Sequence, residues 1–407
     1  MADVAVETAA DTASELISIR AGPIWIDADT GYIIYVAADN DLEFRKTTDG
    51  GASWGAAGTL DVSTVVAVDV WFDKWTPGDS GTLIHIWWAE NASDNIHWRT
   101  IDTSDDSLGT DRTVFAGASF GTAARDSTSL SGTKAVGGNL YVQFWGDALG
   151  ERGFYRSTNS GTTWTSRTDG ADGNAVDEVI CLPDDDSADT EDIVMIYWDR
   201  SAEELSIKKY DDSGNSWGET LISASMNDTT AILQFSAVVR HSDGHVIVAA
   251  WTDLDLATGD LKVWDITLAT PTIGAKTDVV TDADDCMGAG LFIDQNTDDL
   301  YCAYIGNEDG SQVLGATMTL FYKKSEDGAG TWGSQAAYQE GAEDDERYVS
   351  AGHSTPGAAA GRFEPVFFND DLNDLFVNKV NSVELGAAAA LSLLPRSRRP
   401  MQALIGR

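Results

Sequence analysis

The sequence predicts an all-β protein built from repeats, and three observations carry that prediction. An eight-residue turn recurs four times at long intervals, a two-strand phrase recurs seven times, and no long stretch spaces its apolar residues at the helical period. The turn reads Thr47-Thr48-Asp49-Gly50-Gly51-Ala52-Ser53-Trp54, and returns over 157–164, 210–217 and 325–332. Its chemistry suits a tight strand connection. Asp or Asn in third position accepts N–H bonds from its own turn. Glycine permits positive φ. The Ser or Thr before the end opens the next strand, and the Trp offers a large apolar body to a neighbour.

Each two-strand phrase is an apolar strand, an acidic or polar turn, and a second strand. The seven copies run over 34–45, 86–99, 142–156, 195–208, 248–264, 302–323 and 365–378. Units of about 50–60 residues match the longer repeat architectures, and their aromatic and β-branched content suits strands. The seventh unit lacks a fourth strand. The segment Ser14–Ile19 is expected to supply it, closing the ring and leaving no unpaired edge.

The four turns resemble the Asp box (S/T-x-D-x-G-x-T/S-W) of sialidases and other BNR-repeat β-propellers, where it joins the third and fourth strands of a blade and is structural. Asn159 replaces the acid in one copy, Tyr210 replaces Ser/Thr in another, and Ala329 takes a usual glycine place. The resemblance implies a β-propeller, and the count of seven units makes it seven-bladed over residues 1–383, with six blades as the alternative. It assigns Asp49, Trp54, Asn159, Trp164, Asp212, Trp217, Asp327 and Trp332 to the turn scaffold.

Sialidases clamp a carboxylate with three arginines, and attack with a Tyr/Glu pair assisted by an Asp acid/base. Arg20-Ala21-Gly22-Pro23 stands where that family carries Arg-Ile-Pro, but its spacing differs by one. Arg347-Tyr348 and Arg362-Phe363-Glu364 offer the right residue types without a complete motif. Arg45, Arg99 and Arg156 share one repeat position, as Lys208 and Lys323 roughly do, and read as structural. No catalytic residue is assigned, and a sialidase-like glycoside hydrolase is kept as an alternative. The five histidines show no catalytic spacing, and 241–245 reads as a hairpin turn.

An acid recurs after the second strand of most units: Asp39, Glu90, Asp147, Asp199, Asp253 and Asp370, with Asn307 in the sixth. In propellers this turn lies on the face opposite the Asp boxes, so repetition would ring one channel mouth with carboxylates. Such a ring would hold Ca2+ or Mg2+ or a basic partner; turn residues simply exposed to water are the plainer reading. Trp71, Trp75, Trp87 and Trp145 are candidates for stacking on sugars, although most propeller aromatics pack between blades.

The chain has 407 residues, 43% of them hydrophobic, and 66 acids against 26 bases give a net charge of −40. Such a surface repels nucleic acid and anionic membranes. It fits a protein of a salt-loving organism, or an acidic protein of an ordinary marine microbe or its virus. Cys181, Cys286 and Cys302 make no disulfide framework and are expected to be buried thiols. No cofactor is expected beyond such a cation. No signal peptide and no membrane-spanning run is visible. Residues 384–407 change character: four arginines (Arg396, Arg398, Arg399, Arg407) oppose one glutamate among apolar residues. This tail reads either as folded back on the acidic ring or disordered, or as an anchor to other structural proteins. The favoured reading is a non-enzymatic virion head or tail protein, assembled in the host cytoplasm and displaying a propeller that binds host-surface glycans. A soluble interaction scaffold is the further alternative.

Overall fold

A computed structural model of the chain describes all residues except 1–2, 12–21, 92, 94, 118–127, 147–150, 172–176, 200, 227–234, 252–260, 281–285, 308–317, 339–345, 370–371 and 388–407. Seven antiparallel sheets form the blades of a β-propeller. Strand β1 (Val4–Glu7) opens the chain. Blade 1 is β2 (Ile24–Trp25), β3 (Gly31–Val36), β4 (Leu42–Thr47) and β5 (Gly58–Asp61). Blade 2 is β6 (Val65–Phe72), β7 (Leu83–Glu90) and β8 (Asn95–Asp102), with the short β9 (Ser107–Leu108) and the outer β10 (Arg112–Ala116). Blade 3 is β11 (Thr128–Lys134), β12 (Leu140–Gly146), β13 (Glu151–Ser157) and β14 (Thr165–Arg167). Blade 4 is β15 (Glu178–Pro183), β16 (Ile193–Asp199), β17 (Glu204–Asp211) and β18 (Ser216–Ser223). Blade 5 is β19 (Phe235–Arg240), β20 (His245–Trp251), β21 (Leu261–Thr267) and β22 (Thr272–Ala275). Blade 6 is β23 (Cys286–Asp294), β24 (Asp299–Asn307), β25 (Met318–Ser325) and β26 (Ala336–Ala337). Blade 7 is β27 (Glu346–Ser350), β29 (Val366–Asn369) and β30 (Asp374–Val377), while β28 (Gly361–Phe363) pairs with β31 (Val383–Leu385) as a separate ribbon.

The seven two-strand phrases are the second and third strands of the seven blades. Second strands are covered on both faces by neighbouring blades, so they read as continuous apolar runs: Ile193 to Trp198 is buried throughout. Outer strands such as β18 are exposed or half-buried at all but one position. Packing between blades is tight enough to require glycine at Gly132, where a Cβ would come within 2.3 Å of the Trp87 ring.

The seventh blade takes its outer strand from the start of the chain, but from a different segment than Ser14–Ile19. Strand β1 pairs antiparallel with β30, Val4 opposite Val377 and Glu7 opposite Leu375; Ser14–Ile19 lies outside the described residues. Glu7 locks the closure. Its Oε2 accepts from the Arg45 guanidinium at 2.7 Å and from the Tyr35 hydroxyl at 2.8 Å, and Oε1 accepts from the amides of Thr8 and Ala9. Related contacts recur around the ring. Arg99 donates to the Leu60 carbonyl, Lys208 to that of Gly170 at 2.9 Å and Lys323 to that of Val279 at 2.8 Å. In each case a third-strand cation reaches the outer edge of the preceding blade. Arg156 instead reaches forward to Asp212 at 2.6 Å.

Three of the repeated turns share one hydrogen-bond pattern. The Thr47 hydroxyl donates to Asp49 Oδ1 and accepts from the Gly51 amide, while the Ser53 amide and hydroxyl donate to the Asp49 carboxylate. Ser325, Asp327, Ala329 and Thr331 repeat it in full; Ser157, Asn159, Gly161 and Thr163 repeat it with one bond reversed, Asn159 Nδ2 donating to the Thr163 hydroxyl. Two consecutive residues take positive φ in each: Gly50 and Gly51, Ser160 and Gly161, Gly328 and Ala329. The remaining copy is a tighter hairpin. Asp211, not Asp212, caps it by accepting from Ser213 Oγ and the Gly214 amide, and Asp212 is released to pair with Arg156. The turn tryptophans cover the blade before their own: Trp164 meets Trp98 edge-on at 6.0 Å, and the indole N–H groups of Trp217 and Trp332 donate to the carbonyls of Thr168 and Thr277.

Two outcomes are expected. Burial raises the Glu7 pKa, but the Arg45 and Tyr35 hydrogen bonds and the Arg45 charge overcome it and hold the carboxyl below its ordinary value. The stability it contributes is therefore complete above about pH 4.5 and lost as pH falls through the lowered value. Replacing Glu7 with Gln should destabilise by about 3 kcal/mol at neutral pH and flatten that acid limb, both read from urea titrations. Ser160 is exposed at φ 52°, so Ser160→Gly should stabilise by about 1 kcal/mol through relief of left-handed strain, measured as a rise in unfolding midpoint.

Candidate functional site: the central pocket

The inner strands of the blades surround an axial pocket of about 100 Å³. Connections between first and second strands, and between third and fourth, emerge on one face, here the turn face. The opposite, mouth face carries the connections between second and third strands. On the turn face the pocket is closed by the segment following β6. Its 3-10 turn Asp73–Trp75 brings Trp75 against Trp71 and His353, with ring centroids 5.8 and 5.4 Å away. This floor is tied across the ring. The Trp75 indole donates to the Ser354 carbonyl of blade 7, and its own carbonyl meets His241 Nε2 of blade 5 at 3.1 Å. The Trp71 indole donates to Thr76 Oγ1, which donates to the Lys134 carbonyl of blade 3. Beneath, Asp73 holds Lys134 and His85, and those bonds keep its carboxyl far below the usual range despite burial.

The walls are small or apolar, with a polar seam on β6, β11 and β15. Asp69 Oδ2 accepts from Ser131 Oγ and from the Gly132 amide, both at 2.9 Å. Ser131 Oγ in turn accepts from the Cys181 amide. One step toward the mouth the motif repeats: Ser129 Oγ donates to Glu178 Oε2 and accepts from the Val179 amide. Phe235, Ser236 and Ser350 complete the polar and aromatic lining. His353 accepts from the Val239 amide at 3.4 Å, and burial pushes its pKa down to about 3, so it is neutral at physiological pH. No lysine or arginine lines the pocket among the described residues.

The structure brings few of the sequence-derived candidates here. Trp71 and Trp75 line the pocket, whereas Trp87 and Trp145 are buried between blades. Of the carboxylate turns, Asp39, Glu90 and Asp199 are described on the mouth face, and each is engaged locally. Asp39 accepts from the Asp41 amide, Glu90 meets His97 Nε2 at 3.1 Å, and Asp199 accepts from Ser201 and Ala202. Asp147, Asp253 and Asp370 lie outside the described residues, and the Asn307 side chain is likewise not described. Among the described residues no group of three or more His, Cys, Asp or Glu is placed to hold a metal ion. Arg396, Arg398, Arg399 and Arg407 also lie outside the description, although Val383–Leu385 is part of the body through its pairing with β28. The three cysteines are buried and not joined in disulfides, and no helix among the described residues is long and apolar enough to cross a membrane.

The arginine-clamp candidates do not converge on the pocket. Arg20 is outside the description, as is the side chain of Arg347. Arg362 is buried at the seam of blades 7 and 1, donating to the Ala28 carbonyl and to Ser382 Oγ. Glu364 is fully buried beneath Gly51. Burial outweighs the nearby positive charges of Arg362 and Lys379 and pushes its pKa up to about 8. The folded chain thus keeps a proton that the unfolded chain gives up above about pH 4.5, so this group makes stability fall as pH rises from there toward 8. Glu364→Gln should remove that fall, seen as a variant whose urea midpoint gains on the native chain between pH 5 and 8.

No protein-family model matches the chain, and no curated protein matches it in sequence. Solved structures similar to it include an ulvan lyase of polysaccharide lyase family PL25, bound to -[GlcA(1-4)Rha3S]-. The two share 12% identity at a TM-score of 0.54, over 95% of this chain and 94% of that one. A mutant of AofleA from Arthrobotrys oligospora is 13% identical at a TM-score of 0.49, over 79% and 87%. The Hadza microbial sialidase Hz136 is 12% identical at 0.44, over 89% and 65%. At such identities the likeness is one of fold.

Proposed function

We propose that the chain is a non-catalytic, glycan-binding β-propeller of the Asp-box kind, carried in a larger assembly such as a virus particle through residues 384–407. The observation that supports binding over turnover is the chemistry of the pocket. Asp69 is the single carboxylate among the described lining residues, and its Oδ2 is occupied by Ser131 and Gly132. Two-carboxylate hydrolysis needs a second acid across the bond to be cleaved. His353 is neutral, and its Nε2 is used by the Val239 amide, so it is poorly suited to general acid or base work. What remains suits a saccharide: aromatic surface at the floor and hydroxyls on the wall. The ulvan lyase of similar fold holds a glycan. The assembly reading rests on the apolar-basic tail set against a molecule of net charge −40.

Binding is checked on a glycan array with the full chain, followed by titration of the best oligosaccharide. Trp71→Ala is expected to weaken binding about tenfold or more, from the loss of an aromatic face, with the β circular-dichroism signature kept. Release of reducing ends or of unsaturated products from any array glycan would overturn the non-catalytic reading. Failure to co-sediment with particles from the source would overturn the assembly reading.

A further inference from the structure

Resting on the assembly reading, we infer that the β28–β31 ribbon is a proton-operated latch, docked on the ring while Glu364 carries a proton and opening, with the segment that follows it, as that proton is lost. Three features of the junction point to it. The first is topology. β28 and β31 form a two-stranded sheet of their own, Gly361 opposite Leu385 and Phe363 opposite Val383, while the ring is closed at its rim by β1 on β30. Lifting the ribbon therefore breaks no strand pair of any blade, and the chain passes from β31 straight into residues 386–407. The second is the way the ribbon is held. Phe363 packs on Phe292, Tyr301 and Tyr322 of blade 6, with ring centroids 5.7, 4.9 and 5.3 Å away. Asn296 Nδ2 of the same blade donates to the Gly386 carbonyl at 3.2 Å, and Arg362 donates to the Ala28 carbonyl of blade 1 at 3.1 Å. The third is Glu364, the residue after β28. It is 0% exposed, the Gly51 backbone lies over its carboxyl, and neither oxygen has a hydrogen-bond partner.

The charged and titratable groups facing this carboxyl are Arg362 on β28, Lys379 between β30 and β31, Asp49 in the first repeated turn and Tyr338 just past β26. Lys379 in turn faces Arg362, Glu384 and Asp29. Arg362 directs its donors to Ala28, Ser382 and Glu384, and the Ser382 hydroxyl donates to the Lys379 carbonyl, so none of these bonds reaches Glu364. A carboxyl so placed is tolerated as the neutral acid and costly as an anion. Burial pushes its pKa up to about 8, against the pull of Arg362 and Lys379. In the lifted ribbon it meets water and returns to its ordinary value of 4.5. Opening is thus linked to the loss of one proton. Docking is firmest below about pH 4.5, weakens about tenfold per pH unit up to about 8, and levels off above.

Native-state hydrogen exchange of the full chain, corrected for the intrinsic pH dependence of exchange, checks this on peptides covering 361–363 and 383–385. Their protection should fall about a hundredfold between about pH 5.5 and 7.5, and at every pH they should exchange ahead of the second strands of the blades. In Glu364→Gln, which cannot ionise, ribbon protection should stay level over that range. Level protection in the native chain overturns the latch. So does a ribbon that exchanges only together with the second strands, because it then opens by global unfolding. A fall that persists in a folded Glu364→Gln chain also overturns it. If that variant does not fold, the native profile still decides: opening through Glu364 levels off at about pH 8, and levelling near the ordinary histidine value of about 6.5 overturns the assignment. Co-sedimentation with particles from the source, across the same pH range, separates the latch from the reading it rests on. Attachment is expected to rise with pH in step with opening. Opening without attachment at any pH overturns the assembly reading and leaves the latch standing. Attachment that ignores pH while the ribbon opens overturns control of assembly by the latch.

Discussion

The ring depends on a cation reaching backwards. Each blade is a twisted antiparallel sheet, four-stranded except for blade 2 with its extra β9, and adjacent blades meet through apolar faces that give adhesion but no register. Register comes from side chains such as Arg99, Lys208 and Lys323, which span the gap and place a charged donor on one carbonyl of the preceding outer edge. A hydrogen bond from a charged group is worth roughly twice a neutral one and is directional. It fixes how far one blade can slide on the next. At the seam of blades 7 and 1 the outer edge belongs to a separate stretch of chain, and the carbonyl partner is replaced by the carboxylate of Glu7. The strongest version of the contact therefore sits where covalent continuity is missing.

The seam is reinforced on the turn face by a second device. The β28–β31 ribbon carries Arg362 to the Ala28 carbonyl, over the ring of Trp25, and sets Glu364 beneath the first repeated turn. The buried Arg362 guanidinium favours one docking over others, since any other arrangement leaves it without the Ala28 carbonyl and the Ser382 hydroxyl. Closure of the ring is thus specified twice, at its rim by β1 and on one face by the ribbon.

Much of this was legible in the sequence, for identifiable reasons. Second strands such as Ile193–Asp199 are covered on both faces, so their apolar runs stand out, and the polar turn after each marks its end. The closing strand was not legible. Val4–Glu7 is only four residues long, and the longer Ser14–Ile19, with its leucine and two isoleucines, competes with it; the decisive Arg45–Glu7 pair is a long-range contact that no local pattern displays. Asp212 was misplaced because the motif aligns it with Asp49, whereas the absence of a hydroxyl at Tyr210 shifts the cap by one residue. The pocket was hidden because its lining comes from single residues on strands far apart in sequence. One signal was present: Asp69 is the lone charge in the apolar strand Val65–Phe72.

The floor formed by Trp71, Trp75 and His353 turns what would be an axial pore into a blind well. Water in such a well cannot be flushed through. A ligand must enter against the solvent it displaces, with both moving past the same walls. On the proposed glycan-binding reading, a slender terminal unit would exchange more readily than a branched or internal one, and the site would read the ends of a glycan rather than its length.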